Sequence, residues 1–180
     1  MRVVAIVGMA GAGKSVVARV FEQAGFRKVR FGDITDEEVK KRGLELNEGN
    51  ERHVREQLRK EHGMAAYALL NLPRIDALVL SSPVVVDGLY SWEEYMLLKE
   101  RYDDRLSVIA VWASPATRYK RLTGRAVRPL TLAEAASRDK AEIENSNKGG
   151  PIAMADVTVL NESSVEDLQK EARRVLAALK

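Results

Sequence analysis

The sequence predicts a three-layer α/β fold in which a mainly parallel five-stranded sheet carries helices on both faces. Three observations predict it: short apolar, β-branched runs recur along the 180 residues, helical patterns separate them, and polar residues follow several of the runs. Because parallel strands end at one edge of a sheet, residues that follow them should converge there. The predicted strands cover residues 2–7, 28–31, 84–87, 106–112 and 157–160.

The first predicted strand leads into a glycine-rich loop. The loop has the pattern Gly8-x-x-x-x-Gly13-Lys14-Ser15, and a helix is predicted over 16–24. This is the context of a Walker A motif, or P-loop, in which successive N–H groups surround a phosphate. Lys14 can reach the β- and γ-phosphates, and the Ser15 hydroxyl is placed to bind Mg²⁺. The alternative is a glycine-rich turn with a solvated lysine. The predicted nucleotide-binding residues here are Gly8, Met9, Ala10, Gly11, Ala12, Gly13, Lys14, Ser15 and Val16.

The segment after the second strand is mostly helical in pattern. A helix follows Gly32-Asp33, residues 44–72 continue the pattern, and Pro73 argues against simple continuation. Several basic residues here could contact the phosphate of a phosphoryl acceptor, but their spacing equally suits an exposed helix with Glu–Arg pairs. These residues are Arg52, His53, Arg55 and Arg59; His53 and His62 lack metal-ligand spacing and are expected at the surface.

The third predicted strand ends in a carboxylate, in the run Val84-Val-Val-Asp87-Gly88. An Asp in this position can hold Mg²⁺ directly or through water. The alternative is that Asp87 only caps a turn. The following Ser91-x-x-Glu94 pattern is typical of a capping box that opens a helix, so these two residues are expected to be structural.

The second half of the chain carries a cluster of arginines. After the strand over 106–112, Ser114-Pro115 starts a helix with a basic end, and a capping box at Thr131-x-x-Glu134 starts the next one. Between them, Arg121, Arg125 and Arg128 could close over a triphosphate as a lid. The alternative is a solvated basic helix end. Residues 145–151 read as a polar loop, and residues 163–166 are expected to cap a terminal amphipathic helix.

Composition excludes several classes of protein. There is no cysteine, so neither a disulfide framework nor a cysteine-based metal site is available. A formal charge of +3 permits acidic ligands, and the mixed charges along the helices argue against a nucleic-acid-binding face. The N-terminus enters a strand directly and no apolar run approaches bilayer length, so we expect a cytoplasmic protein without membrane contact.

These motifs, in this order, resemble the nucleotide-kinase branch of P-loop proteins, especially adenylate kinase and dephospho-CoA kinase. The chain looks closest to an archaeal group of adenylate-kinase-related proteins, over essentially its whole length. The motifs that carry the resemblance lie at residues 8–15, 30–33, 61–64, 85–88, 113–122, 138–139 and 155–161.

The resemblance implies a single P-loop kinase domain over 1–180, with a helical acceptor-binding insert over about 32–72 and a short lid over about 121–130. It implies that Asp33 lies near Mg²⁺ and the transferred phosphoryl group, and that Asp87 is the Walker B-type carboxylate. Arg138 would clamp a phosphate beyond the lid, and Asn161 would belong to the region that lines adenine. Two departures stand on the acceptor side: Thr35 and Tyr90 occupy positions where these kinases often carry an arginine.

The sequence therefore predicts Mg²⁺-dependent phosphoryl transfer from ATP to a nucleotide or nucleotide-like small acceptor, of the AMP or dephospho-CoA type. The alternative is an ATP- or AMP-binding regulatory ATPase that acts on a protein or RNA partner, which the two missing arginines favour. A GTPase is disfavoured because Asn147-Lys148 is followed by two glycines, without the Asp of an Asn-Lys-x-Asp motif. The sequence leaves the acceptor and the oligomeric state open.

Overall fold

A parallel five-stranded sheet organises the chain. We describe a computed structural model that covers residues 1–127 and 129–179. The strands lie in the order β2-β3-β1-β4-β5, and each of the four pairings is parallel, which confirms the predicted fold class. The strands are β1 (Val3–Val7), β2 (Arg27–Arg30), β3 (Val84–Asp87), β4 (Leu106–Trp112) and β5 (Val157–Leu160).

Helices cover both faces of the sheet, and each face has its own apolar core. On one face, Val3, Ala5 and Val7 of β1 belong to a core that includes residues from the helices between β2 and β4. On the other face, Val4 and Ile6 belong to a core shared with the first and last helices. The helices are α1 (Lys14–Gln23), α2 (Asp33–Lys41), α3 (Glu48–His62), α4 (Ala66–Val79), α5 (Trp92–Tyr102), α6 (Pro115–Thr123), α7 (Leu132–Glu144), α8 (Gly149–Ala153) and α9 (Val165–Ala178).

The capping signals read from the sequence set the start of several helices. Complete capping boxes open α5, at Ser91 and Glu94, and α7, at Thr131 and Glu134. Ser114 caps α6 with Pro115 in its first turn. The last helix begins one residue later than the predicted cap would place it, because Ser164 has the extended backbone of an N-cap and accepts from the Asp167 N–H.

Two expectations about helix limits are wrong. Pro73 lies inside α4 at an exposed position, and because proline has no N–H, the Leu69 carbonyl loses its helical partner. Buried residues on both sides of Pro73, such as Tyr67 and Ile75, hold the helix against the core. The predicted polar loop over 145–151 is shorter than expected, because α8 starts at Gly149 and a helix tolerates Pro151 in its first turn.

Within the described residues, none of the helices combines the length and the apolar character needed to span a lipid bilayer.

The N-terminus of α5 contains a buried carboxylate. Glu94 has no exposed surface, and its Oε2 accepts hydrogen bonds from the backbone N–H groups of Tyr90 (2.8 Å) and Ser91 (3.3 Å). Its Oε1 is buried without a hydrogen-bond partner among the described residues. Burial raises the pKa of Glu94 to about 7, although the two N–H groups and the charges of Arg59 and Lys148 act in the opposite direction.

We predict that Glu94→Gln removes a pH dependence of stability. Between pH 4.5 and about 7 the folded chain keeps a proton on Glu94 that the unfolded chain has lost, so stability falls as pH rises through this window. Glutamine keeps an acceptor for both N–H groups and carries no charge. We expect the variant to be more stable than the natural protein at pH 8 by about 1–3 kcal/mol.

The measurement is the free energy of urea unfolding between pH 4.5 and 8. The matched control is Glu100→Gln, an exposed glutamate of the same helix. The prediction is contradicted if both variants follow the pH profile of the natural protein.

Candidate phosphate-binding site

The loop between β1 and α1 has a backbone that only glycine can adopt at three positions. Gly8, Gly11 and Gly13 have φ values of 149°, 79° and 105°. A Cβ atom at Gly8 would collide with the Val111 carbonyl oxygen, and one at Gly13 would collide with the Asn161 side chain. The loop therefore packs directly on its neighbours, and its last glycine leads into the N-terminus of α1.

Lys14, the first residue of α1, folds back over this loop. Its Nζ donates to the carbonyl oxygens of Gly8 (2.8 Å) and Met9 (3.1 Å). Burial, followed by the charge of Lys148, lowers the pKa of Lys14 from 10.5 to about 7, while Glu142 and Asp87 act in the opposite direction. Charged groups from three other parts of the chain therefore act on the Lys14 ammonium.

The two carboxylates predicted at strand ends lie at the same edge of the sheet as the loop. Asp87 pairs in register with Ile6 of β1 and Arg30 of β2, so it lies at the carboxyl ends of three strands. It is 8% exposed, and burial raises its pKa despite the charges of Lys14 and Arg30. Asp33 opens α2 and forms an ion pair with Arg30 (2.7 Å), which also pairs with Asp36 (2.9 Å).

Ser15 and Asp87 have the chemistry that Mg²⁺ requires beside a nucleotide. The Asp87 carboxylate forms no hydrogen bond or ion pair with the rest of the described chain, and the Ser15 side chain is exposed at the start of α1. In the described ranges, no three His, Asp or Glu side chains are grouped to hold a metal. Mg²⁺ commonly takes one or two protein oxygens and completes its shell with phosphates and water, which these residues would suit.

Arg121 and Asn161 lie together against the loop. Asn161, 5% exposed, donates from Nδ2 to the Ala12 carbonyl oxygen (2.7 Å) and accepts at Oδ1 from Arg121 Nη2 (3.2 Å). The other terminal nitrogen of Arg121, Nη1, is buried and has no hydrogen-bond partner within the described residues. Although α6 and the end of β5 are far apart in the sequence, they contribute to one side of the loop.

The remaining predicted arginines lie on and before α7. Arg138 donates from Nε to Glu142 Oε1 (3.3 Å). Burial and then the charge of Arg138 lower the pKa of Arg125, so these two arginines are electrostatically coupled. Arg128, the third predicted lid arginine, lies outside the described residues.

Sequence reasoning missed two buried ion pairs of this region. Arg118, 4% exposed, forms a two-point ion pair with Asp139 (2.8 and 2.5 Å) and donates to the Ala10 carbonyl of the loop (3.1 Å). Lys148, 1% exposed, donates to Glu142 Oε2 (2.8 Å). Neither pair has a helical or strand spacing, so no local pattern could have identified it. The pairing of Asp139 with α6 depends on tertiary structure.

Tyr90 and Thr35 stand at the two positions where the kinases that the sequence resembles often carry an arginine. The Tyr90 hydroxyl lies over Gly88 and Gly32, since Cβ atoms built there would be 2.8 and 3.2 Å from it. Tyr90 meets the Tyr67 ring edge to face at 5.4 Å, and the Tyr67 hydroxyl is 2.6 Å from Thr35 Oγ1. Aromatic and hydroxyl groups therefore line this part of the edge.

The basic residues of α3 mostly follow the surface interpretation. Arg52 pairs with Glu56 (3.0 Å), and Arg55 lies 3.6 Å from a Glu51 carboxylate oxygen. His53 and His62 are exposed, as expected. Arg59 differs, because its guanidinium lies 5.6 Å from the centroid of the Tyr67 ring. The basic residues of α3 are thus divided between its exposed face and the partly buried side that meets Tyr67.

Comparisons with known proteins agree with this architecture. The AAA domain family model matches residues 4–146. A UPF0200 protein of Thermococcus gammatolerans is 36% identical over 97% of this chain and 93% of its own length. One of Aeropyrum pernix is 39% identical, over 96% of this chain and 90% of its own length. The relatives confirm the expected resemblance to an archaeal group.

Solved structures show the same fold at low sequence identity. A gluconokinase from Sinorhizobium meliloti is 18% identical with a TM-score of 0.61, covering 99% of this chain and 93% of that one. A shikimate kinase from Acinetobacter baumannii, in complex with shikimate, is 17% identical with a TM-score of 0.59, covering 100% and 95%. The fold is that of P-loop kinases, and the chain belongs to the AAA domain family of P-loop proteins, together with the archaeal UPF0200 proteins.

Proposed function

We propose that this protein transfers the γ-phosphoryl group of ATP, with Mg²⁺, to a nucleotide or nucleotide-like small acceptor. The observation that carries the proposal is the charge arrangement at the carboxyl edge of the sheet. The Lys14 ammonium lies on the glycine-rich loop beside buried or partly buried cations, and the Asp87 carboxylate is on the same edge. A polyphosphate with Mg²⁺ complements both sets of charges.

The loop and α1 would bind the donor. Backbone N–H groups of residues 9–15 and the N-terminus of α1 would direct positive partial charge at the β- and γ-phosphates. Lys14 would exchange its hydrogen bonds to the Gly8 and Met9 carbonyls for phosphate oxygens, and such charge-assisted bonds are the stronger ones. Arg121, through its unpartnered Nη1, and Asn161 would contact the nucleotide on the α6 side of the loop.

The reaction would break the bond between the γ-phosphorus and the β–γ bridging oxygen and form a bond to an acceptor oxygen. The leaving group is ADP, and a hydroxyl acceptor also releases a proton, whereas a phosphate acceptor releases none. Mg²⁺ held by Ser15 and Asp87, with Asp33 beside them, would neutralise phosphate charge. Arg125, Arg138 and the lid residue Arg128 would add positive charge and exclude water, as expected for phosphoryl transfer.

Two observations favour the alternative, a regulatory ATPase that acts on a protein or RNA partner. Arg30, the arginine nearest to the Asp33 position, is already shared by Asp33 and Asp36. The Tyr90 hydroxyl also occupies the space over Gly32 and Gly88. Both features reduce the positive charge that this part of the edge offers to a phosphorylated acceptor.

A prediction from the proposed function concerns donor binding. We expect Lys14→Ala to weaken binding of MgATP by about a hundredfold, because two charge-assisted contacts to phosphate are lost while the fold does not depend on them. Isothermal titration calorimetry measures the affinity, and thermal melts verify folding. The control is Lys140→Ala, an exposed lysine on α7. Equal MgATP affinity in the Lys14 variant would show that the loop does not bind triphosphate.

A further prediction separates the kinase from the regulatory ATPase. Incubation with MgATP and single acceptors, namely AMP, other nucleoside monophosphates, dephospho-CoA and shikimate, should give ADP formation that depends on one of the nucleotide-like acceptors. Shikimate is included because a structural neighbour was solved with it. If no small acceptor stimulates turnover but a protein or RNA fraction does, the regulatory ATPase is correct and the kinase proposal is wrong.

A further inference from the structure

Lys148 is a buried lysine for which neither the sequence motifs nor the proposed donor site provides a role. It is 1% exposed, and its Nζ donates to Glu142 Oε2 at 2.8 Å. A buried ammonium is costly unless its charge is compensated, so its position calls for a physical reason. The surrounding backbone and charges give a physical reason for the buried position of Lys148.

The backbone before α8 fixes the direction in which Lys148 enters the protein. Asn147 has a φ of 50°, in the left-handed region, and its Nδ2 donates to Glu93 Oε1 on α5 (3.0 Å). The Lys148 N–H donates to the Glu142 carbonyl oxygen of α7 (3.3 Å). Gly150 packs against the Trp92 ring so closely that a Cβ atom would be 2.6 Å from it. Asn147 and Gly150, on either side of Lys148, thus contact α5, and the Lys148 backbone is hydrogen-bonded to α7.

The ammonium of Lys148 lies on the acceptor side of the strand ends. Its Nζ is 5.1 Å from the centroid of the Tyr90 ring, and the hydroxyl of that ring lies over Gly32 and Gly88. Lys14, in contrast, contacts the carbonyls of Gly8 and Met9 in the donor loop. The charge of Lys148 is nevertheless the largest charge effect on the pKa of Lys14. The two lysines therefore hold different contacts, although their charges repel each other.

Among the described groups that act on Lys14, Glu142 interacts with three cations, Lys14, Lys148 and Arg138. Burial alone would raise the pKa of Glu142, but the charges of Lys148, Lys14 and Arg138 lower it to about 2. One carboxylate is thus shared by Lys148 at 2.8 Å and Arg138 at 3.3 Å, and it also acts on Lys14. Asp87 is the other carboxylate that acts favourably on Lys14. An anion between the lysines would offset the remaining positive charge.

We propose that Lys148 is a second phosphate-binding lysine, which contacts a phosphoryl group on the acceptor side of Lys14 and is held in position by Glu142. The acceptor then presents phosphate oxygens to Lys148 next to the transferred group. This inference rests on the proposed function, because it assumes that the loop binds the donor triphosphate.

Inorganic polyphosphates of two lengths test the proposal on the full chain. With Mg²⁺, tripolyphosphate is long enough for the donor loop, whereas pentapolyphosphate extends toward Lys148. In calorimetric titrations we expect Lys148→Met to weaken pentapolyphosphate binding by about tenfold and tripolyphosphate binding by about twofold or less, since one charge-assisted contact is lost. Lys140→Met, at an exposed lysine of α7, should change neither affinity.

Further variants distinguish a ligand from a merely structural residue. Lys148→Met leaves Glu142 without its nearest cation, so the double variant Lys148→Met/Glu142→Gln removes both charges, and thermal melts follow folding in each. If Lys148 binds phosphate, the double variant keeps the selective loss of pentapolyphosphate affinity and Lys148→Arg restores most of it. A double variant that regains the natural affinity assigns a structural role to Lys148 and overturns the proposal.

The binding data distinguish an error in the role of Lys148 from an error in the donor site. If the natural protein binds both polyphosphates and Lys148→Met binds them equally well, the role of Lys148 is wrong and the donor site stands. If the natural protein binds neither polyphosphate nor MgATP, the proposed function falls and the role of Lys148 falls with it.

Discussion

The close approach of the glycine-rich loop to its neighbours is the constraint on which the rest of the site depends. Gly8 lies against the Val111 carbonyl of β4, Gly11 against Arg118 of α6, and Gly13 against Asn161 after β5. Each contact leaves no space for a side chain, and each glycine has a positive φ. The position of the loop is therefore fixed by elements from the whole second half of the chain, and Arg118 and Asn161 add hydrogen bonds to its carbonyls.

A site fixed in this way can hold charged groups that burial disfavours. The lowered pKa of Lys14 and the raised pKa of Asp87 both reflect groups whose charged forms are disfavoured by burial. Such groups reduce the stability of the fold, and the packing around the loop must offset that cost. A bound polyphosphate with Mg²⁺ would relieve both, so binding energy is available where the folded chain is electrostatically least favourable.

The sequence was sufficient for features that are encoded locally. The strands, the loop motif and the capping boxes at Ser91 and Thr131 each depend on neighbouring residues, and the structure contains them. Pro73 was misleading because packing of α4 outweighed a local signal. The Arg118–Asp139 and Lys148–Glu142 pairs could not be predicted, because each depends on how α6, α7 and α8 meet. The lid role of Arg121, Arg125 and Arg128 stays a prediction, and Arg128 lies outside the described residues.

Two positions where the kinases that the sequence resembles often carry an arginine hold other residues in this chain. These residues are Tyr90 and Thr35, which are linked through Tyr67. The nearby Arg30 forms ion pairs with two carboxylates, Asp33 and Asp36. If an acceptor phosphate binds at this edge as we propose, positive charge would reach it from elements that pack onto the edge, such as the start of α8. The Tyr90 ring supports the Lys148 ammonium at 5.1 Å, an arrangement that an arginine at position 90 would oppose by charge repulsion. The tyrosine and the buried lysine are thus compatible as a pair, and the proposed role of Lys148 would place the positive charge at the start of α8 instead of the end of β3.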